Sequence, residues 1–217
     1  MSSVFRLLRL MVACVIWGGM VFAFLMATVS STNRTYVLVD GEEYFYYFGY
    51  GSNLLRERLL LLNPSAVRAS VGRLKGYKLA FGLYKRNLTE WGGGVATIIQ
   101  SPEDDVWGVV WRLKAADRQS LDDQENVKEG FYSPIEVKIE REDAGEMMCL
   151  TYQINYFNSV LPSPLYKEVI CTGAKQNGLP AEYIAKLDAI KTNNYNETTP
   201  FTIHIGSILC PYKTTYC

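Results

Sequence analysis

The chain of 217 residues, 48% of them hydrophobic, is long enough for one domain with a sizeable core. Its 22 Lys and Arg balance 22 Asp and Glu, and no basic stripe interrupts that balance, so no nucleic-acid partner is expected. Aromatic residues make up 13%, with 15 Tyr among them, which favours strands and a part-polar pocket over a helical bundle.

At the start, Arg6 and Arg9 precede an uncharged apolar run over residues 10–29. That is roughly the twenty residues that span a bilayer, and longer than a usual signal-peptide core. Residues 1–31 therefore read as a signal anchor or signal peptide, followed by a linker over 32–43. An anchor would keep both arginines in the cytosol and make the chain a single-pass type II membrane protein with a lumenal or extracellular domain. Cleavage after Ser30 or Ser31 would instead release it as a secreted protein. Three Asn-X-Thr acceptor patterns, at Asn33, Asn87 and Asn196, agree with an exported glycoprotein.

Tyr44 to Phe48 form an aromatic strand candidate that ends in the turn Tyr50-Gly51-Ser52-Asn53-Leu54. A helix is expected next, striped by Leu55, Leu59 and Leu62, with Arg56, Glu57 and Arg58 on its wet side and a stop at Asn63-Pro64. A glycine-opened loop running into a helix offers free backbone N–H groups to an anion, although the same pattern serves as an ordinary turn with Ser52 or Asn53 as cap. Strand patterns follow at Tyr77, Leu79 and Phe81, at residues 95–99, and at Trp107, Val109, Trp111 and Leu113. Between them Gly92-Gly93-Gly94 lacks the lysine of a phosphate loop and reads as a close approach of chains beside a pocket.

A short helix fits residues 115–124. Ile135, Val137 and Ile139 alternate with charged residues, and a partner strand over 147–154 completes a hairpin with one wet face. Ser163-Pro164 opens a helix that Asn177-Gly178 closes, and another begins near Pro180 and buries Tyr183, Ile184, Leu187 and Ile190. In the tail, residues 192–217, Phe201, Ile203 and Ile205 alternate as in an edge strand. Strands in neighbouring pairs, with helices not interleaved one for one, indicate an α+β domain over residues 44–191 with a strongly curved sheet or small β-barrel.

Of the five cysteines, Cys14 lies in the leader, while Cys149 and Cys171 read as buried small hydrophobes. Cys210 to Cys217 is the preferred bridge among the three pairings four cysteines allow. No cysteine spacing suits zinc, and the single histidine, His204, argues against a histidine-based metal site.

Four segments together resemble the γ-glutamylcyclotransferase family. They are Tyr47-Phe48-Gly49-Tyr50-Gly51-Ser52-Asn53-Leu54-Leu55, Asp104-Asp105-Val106-Trp107-Gly108-Val109-Val110-Trp111, Leu121-Asp122-Asp123-Gln124-Glu125-Asn126-Val127 and Pro162-Ser163-Pro164-Leu165-Tyr166-Lys167. The resemblance runs from about Tyr44 to about Ile190 and leaves out the apolar leader and the tail. It implies a mixed β-barrel with helices packed round it and an enzyme that needs neither metal nor organic cofactor. Its substrate would be a small γ-glutamyl molecule, converted to 5-oxoproline and a free amine or amino acid. Family members are often homodimers.

Carried over by position, the resemblance makes Glu125 the catalytic acid/base and Tyr166 a pocket hydrogen-bonding residue. It makes Tyr47, Phe48, Gly49, Tyr50, Gly51 and Ser52 the cradle of the γ-glutamyl group. Without it, Glu125 beside Asp122 and Asp123 would read as part of a solvated face.

The chemistry explains the residue types. The substrate's α-amino group attacks its own γ-carbonyl, so holding one flexible molecule folded is worth effective molarities on the order of 10⁵ M. One carboxylate between the two nitrogens can take a proton from one and give it to the other. Burial against Tyr50 or Tyr166 would raise its pKa toward neutrality. Backbone N–H groups of residues 49–53 could hold the oxyanion or the substrate carboxylate. A γ-glutamyl-ε-lysine substrate, or a γ-glutamyl-binding domain without turnover, are the alternatives.

Overall fold

Two long antiparallel strands, β3 (Val67–Tyr84) and β4 (Val95–Lys114), set the frame. They belong to a computed structural model of the chain that describes residues 35–85, 89–142 and 144–212. Leu74 pairs with Val106 and Lys75 with Asp105, but the next pair is Tyr77 with Gln100. Residues 101–104 thus bulge opposite Gly76, which takes φ +77 to let the strand bend. Ser101-Pro102-Glu103-Asp104 resembles a turn between two strands, but those strands prove to be the two halves of β4.

Five further strands, β1 (Tyr36–Val39), β2 (Glu42–Gly49), β5 (Tyr132–Arg141), β6 (Gly145–Ile154) and β7 (Phe157–Ser159), complete one sheet in the order β1-β2-β4-β3-β5-β6, with β7 on β3. A parallel pairing of β2 with β6, at Tyr47 and Leu150, brings the two ends together. The expected strongly curved, barrel-like sheet is therefore present. β1 pairs with β2 across Asp40 and Gly41, both at positive φ, so the stretch expected as a linker opens the sheet instead. β5 and β6 form the expected hairpin. Val137 and Ile139 point inward, while Glu136 and Lys138 are exposed.

α1 (Arg56–Leu60) is only five residues long. Leu55 and Leu59 are fully buried as expected, but Leu62 is 51% exposed because the chain has already left the helix. Fully buried Asn63 donates its backbone N–H to Leu59 O and its side-chain Nδ2 to Gln124 Oε1, both at 3.1 Å, and Pro64 follows. α2 (Arg118–Gln124) follows a 3-10 turn at Ala115–Asp117.

α3 (Pro164–Asn177) has the expected ends: Ser163 Oγ accepts from the Tyr166 N–H at 3.1 Å, and Gly178 takes φ +70. A Cβ on Gly173 of α3 would collide with the backbone of Leu54 and Leu55, so the helix lies directly on the glycine turn. Asn177 Nδ2 donates to Leu54 O at 2.8 Å along the same seam. α4 (Ala181–Asp188) buries Tyr183 and Leu187, leaving Ile184 and Ile190 half-buried.

The tail differs from expectation. Residues Pro200–Leu209 form α5 rather than an edge strand. Thr199 and Thr202 make a reciprocal capping box, Pro200 starts the helix, and Ile205 and Leu209, four apart, are buried. Ile203 is 61% exposed, and His204 is exposed on a helix rather than a strand.

Cys149 and Cys171 are free and buried, as read. Cys210 is disulfide-bonded, while Cys217 lies outside the described residues, as do the leader, Asn33 and Asn87. Among the described residues no helix is long and apolar enough to cross a membrane, and no group of side chains could hold a metal ion.

Candidate active site

β2 delivers the glycine turn against the side of α3 and the start of β4. Gly51 is required by space: a Cβ there would lie 3.0 Å from Ala96 Cβ and 3.2 Å from Tyr166 Oη. Ser52–Leu54 form a single 3-10 turn, closed by Leu54 N–H to Gly51 O at 3.0 Å. With α1 only five residues long, an extended helix dipole is not behind this loop, and neither Ser52 nor Asn53 caps it by side chain. Local N–H groups and side chains carry the chemistry instead.

Six of the eight expected site residues line one small inner cavity: Tyr47, Tyr50, Gly51, Ser52, Glu125 and Tyr166. Phe48 and Gly49 do not. Successive strand residues face opposite ways, so with Tyr47 turned to the cavity Phe48 is fully buried in the core, its ring 6.3 Å from that of Tyr50. Gly49 serves by having no side chain, since a Cβ would press on Asn53 O and Trp111 Nε1.

Glu125 is the first residue past α2, its N–H bonded back to Leu121 O at 3.1 Å. Asn53 Nδ2 donates to its Oε1 at 3.0 Å and to Tyr47 Oη at 2.9 Å. The side-chain amide is oriented by Gln124 Nε2, which donates to Asn53 Oδ1 at 2.9 Å, while Trp111 Nε1 holds the main chain by donating to Asn53 O at 3.0 Å. Asn63 in turn donates to Gln124 Oε1 at 3.1 Å. The closer hydrogen bonds to the carboxylate therefore fall on Oε1, and Oε2 has none among the described residues.

Although the cavity gives Glu125 some contact with solvent, protein surrounds its carboxyl group, and burial raises its pKa to about 7. The Arg58 charge and the hydrogen bonds from Gln124 and Asn53 pull the other way. Burial also keeps the phenols neutral, raising Tyr47, Tyr50 and Tyr132 well above their usual range and Tyr166 to about 12.

The phenols are tied to the barrel. Tyr50 Oη donates to Tyr152 O at 2.5 Å and Tyr132 Oη to Ala96 O at 2.6 Å, while Tyr166 Oη accepts from the Ala96 N–H at 2.9 Å. That acceptance leaves the Tyr166 hydroxyl proton to be donated elsewhere.

The inner cavity adjoins an outer chamber of ≈ 530 Å³, and Ser52, Glu125, Tyr132 and Tyr166 border both. Arg58, Trp91 and Phe201 wall the chamber. The triple glycine lies beside it as expected: a Cβ on Gly92 would collide with the Tyr195 ring, and one on Gly94 with Val160 O. The sequence reading missed Asn53 as the carboxylate's partner, the cavity residues Tyr132 and Tyr152, and the inward position of Arg58. Asn53 was within reach, because it stands in the quoted turn; the others depend on the sheet closing.

A neutral, tyrosine-lined pocket with one carboxyl titrating near neutrality suits proton transfer to and from a small polar substrate. A family model described as the AIG2-like family matches residues 105–187. The Bos taurus protein named gamma-glutamylcyclotransferase is 54% identical over 157 residues, 72% of this chain and 83% of that protein. Its Homo sapiens counterpart is 52% identical over 155 residues, 71% and 82%. A solved structure described as gamma-glutamyl cyclotransferase is 47% identical, with a TM-score of 0.72 over 76% of this chain and 99% of that one.

Proposed function

Because the chain belongs to the gamma-glutamylcyclotransferase family, an enzyme family, we propose that it converts γ-glutamyl amino acids or dipeptides to 5-oxoproline and a free amine, with Glu125 as the shuttle. The observation that carries this reading is a carboxyl group of pKa about 7 bordering both the inner cavity and the outer chamber. The γ-glutamyl half enters the inner cavity, and the leaving half occupies the chamber.

Glu125 as carboxylate takes a proton from the substrate's α-amino group, whose nitrogen attacks the γ-carbonyl carbon. The five-membered ring closes and the carbonyl oxygen becomes an oxyanion, stabilised by N–H groups of the turn and by the Tyr166 hydroxyl. The bond from the former carbonyl carbon to the leaving nitrogen then breaks as the carbonyl re-forms. Glu125 hands its proton to that nitrogen and is again a carboxylate. No water is consumed, and tyrosine burial keeps competing hydroxide out.

The test is 5-oxoproline formation from γ-glutamyl-alanine by the purified full chain. Glu125→Gln should lower kcat by roughly 10² or more while leaving substrate binding; unchanged turnover in that variant removes Glu125 from the mechanism.

A further inference from the structure

Arg58 makes no ion pair among the described residues, although it feels the charges of Glu125 and Glu90. Its Nε is buried without a hydrogen-bond acceptor. It is the one cationic side chain among the described residues that wall the outer chamber, where the other charged groups are Glu90, Glu125 and Glu129. The guanidinium sits over the Trp91 ring, 5.9 Å from its centroid. Trp91 is itself wedged between Tyr166 at 4.7 Å and Phe201 at 4.8 Å. A half-buried planar fork over an indole, with its Nε donor unused, is suited to a carboxylate, which it can meet with two parallel N–H donors and little further loss of freedom.

We propose that Arg58 binds the α-carboxylate of the leaving amino acid, and so selects γ-glutamyl α-amino acids over γ-glutamyl amines that lack a carboxylate there. The assignment rests on the cyclotransferase reading above. In such a substrate the carboxylate stands two bonds from the nitrogen that departs. Glu125, which must reach that nitrogen, and Arg58 share the chamber wall. A carboxylate farther along, as on an ε-linked lysine, would be carried past the guanidinium.

Two other roles compete: Arg58 could act only through the acidity of Glu125, or only by bracing Trp91. Both would affect every substrate equally. The experiment measures kcat/KM for γ-glutamyl-alanine and γ-glutamyl-alaninamide with the full chain at pH 8.5, above the Glu125 titration. Wild type should favour the acid about 10- to 100-fold, the range of a charge-assisted hydrogen bond. Arg58→Met should reduce that ratio to below about 3-fold, mainly by losing the acid. Arg58→Lys should keep an intermediate ratio, and circular dichroism confirms which variants fold; if Arg58→Met does not, Arg58→Gln is read in its place. No preference in wild type, or equal loss on both substrates in the folded variants, overturns the assignment of Arg58. Absence of 5-oxoproline from both substrates with wild type overturns the underlying function.

Discussion

The side-chain nitrogen of Asn53 reaches two partners 78 residues apart in sequence, Tyr47 Oη at 2.9 Å and Glu125 Oε1 at 3.0 Å. Asn53 thereby fixes one carboxylate oxygen, and the other accepts no hydrogen bond among the described residues. Asn53→Leu should reduce kcat by roughly 10- to 100-fold, since the carboxylate loses a donor and its aim. The same variant should move the acid limb of the rate profile to higher pH, because a hydrogen bond that favoured the charged form is gone. Steady-state rates across pH 5–9 with γ-glutamyl-alanine check both effects.

Glu125 ties activity and stability to pH in opposite senses. In the proposed shuttle Glu125 acts as the carboxylate, so kcat/KM should climb through an apparent pKa near 7 and then level off. Arg58→Met should shift that limb upward, because the Arg58 charge holds the pKa down.

Stability runs the other way. The pKa is higher folded than in the ordinary carboxyl range, so the folded state binds the extra proton, and its advantage is complete below about pH 4.5 and lost as pH rises through about 7. Glu125→Gln removes that loss. Its melting temperature should exceed wild type by roughly 4–8 °C at pH 8.5, on the order of 2 kcal/mol after allowing for solvent access, and by little at pH 4.5. Calorimetric or dichroic melts at the two pH values decide it.

Gly51→Ala is a steric test of the cradle. The new methyl would press on Ala96 and the Tyr166 hydroxyl. Turnover should fall by roughly 10² or more while the melting temperature drops by only a few degrees. An active Gly51→Ala enzyme would mean the γ-glutamyl group sits elsewhere.

Phe201 brings the tail to the chamber. Its ring stands edge-on to Trp91 at 4.8 Å, and Ile205 and Leu209 of the same helix are buried. Phe201→Ala should raise KM for γ-glutamyl-alanine by roughly 3- to 10-fold with kcat nearly unchanged, because Trp91 and its guanidinium lose a wall rather than a reacting group.

Compartment can be tested separately. Asn196 is exposed, and if residues 1–31 carry the domain across a membrane it should bear a glycan. In that case endoglycosidase treatment should shift the mobility of the cellular protein, in part through Asn196; an unshifted band would mean the domain does not cross a membrane.

Local signals were the legible ones. Ser163-Pro164 and Asn177-Gly178 bracket α3 because caps and a left-handed glycine act within a few residues. Glu125 and most of the turn were named because their order in the chain resembles a family. What failed depended on distant partners. The period-2 alternation of Phe201, Ile203 and Ile205 fits a strand, yet the Thr199-Pro200 start and the spacing of Ile205 and Leu209 fit the helix that forms. Arg58 read as a wet-face charge because α1 was expected to be a full helix; in a turn and a half, the side chain can lean over Trp91 instead. Phe48 was drawn into the cradle by adjacency in sequence, where the pleat sends it to the opposite face.

Gly173 removes any layer of side chains between α3 and the turn at Leu54 and Leu55. With main chain resting on main chain there, and Asn177 bonded to Leu54 O beside it, the glycine turn and one of the principal helices of the domain should loosen together. Warming should therefore produce no plateau at which the fold persists but catalysis has gone; the enzyme ought to fall silent along the same curve on which it melts.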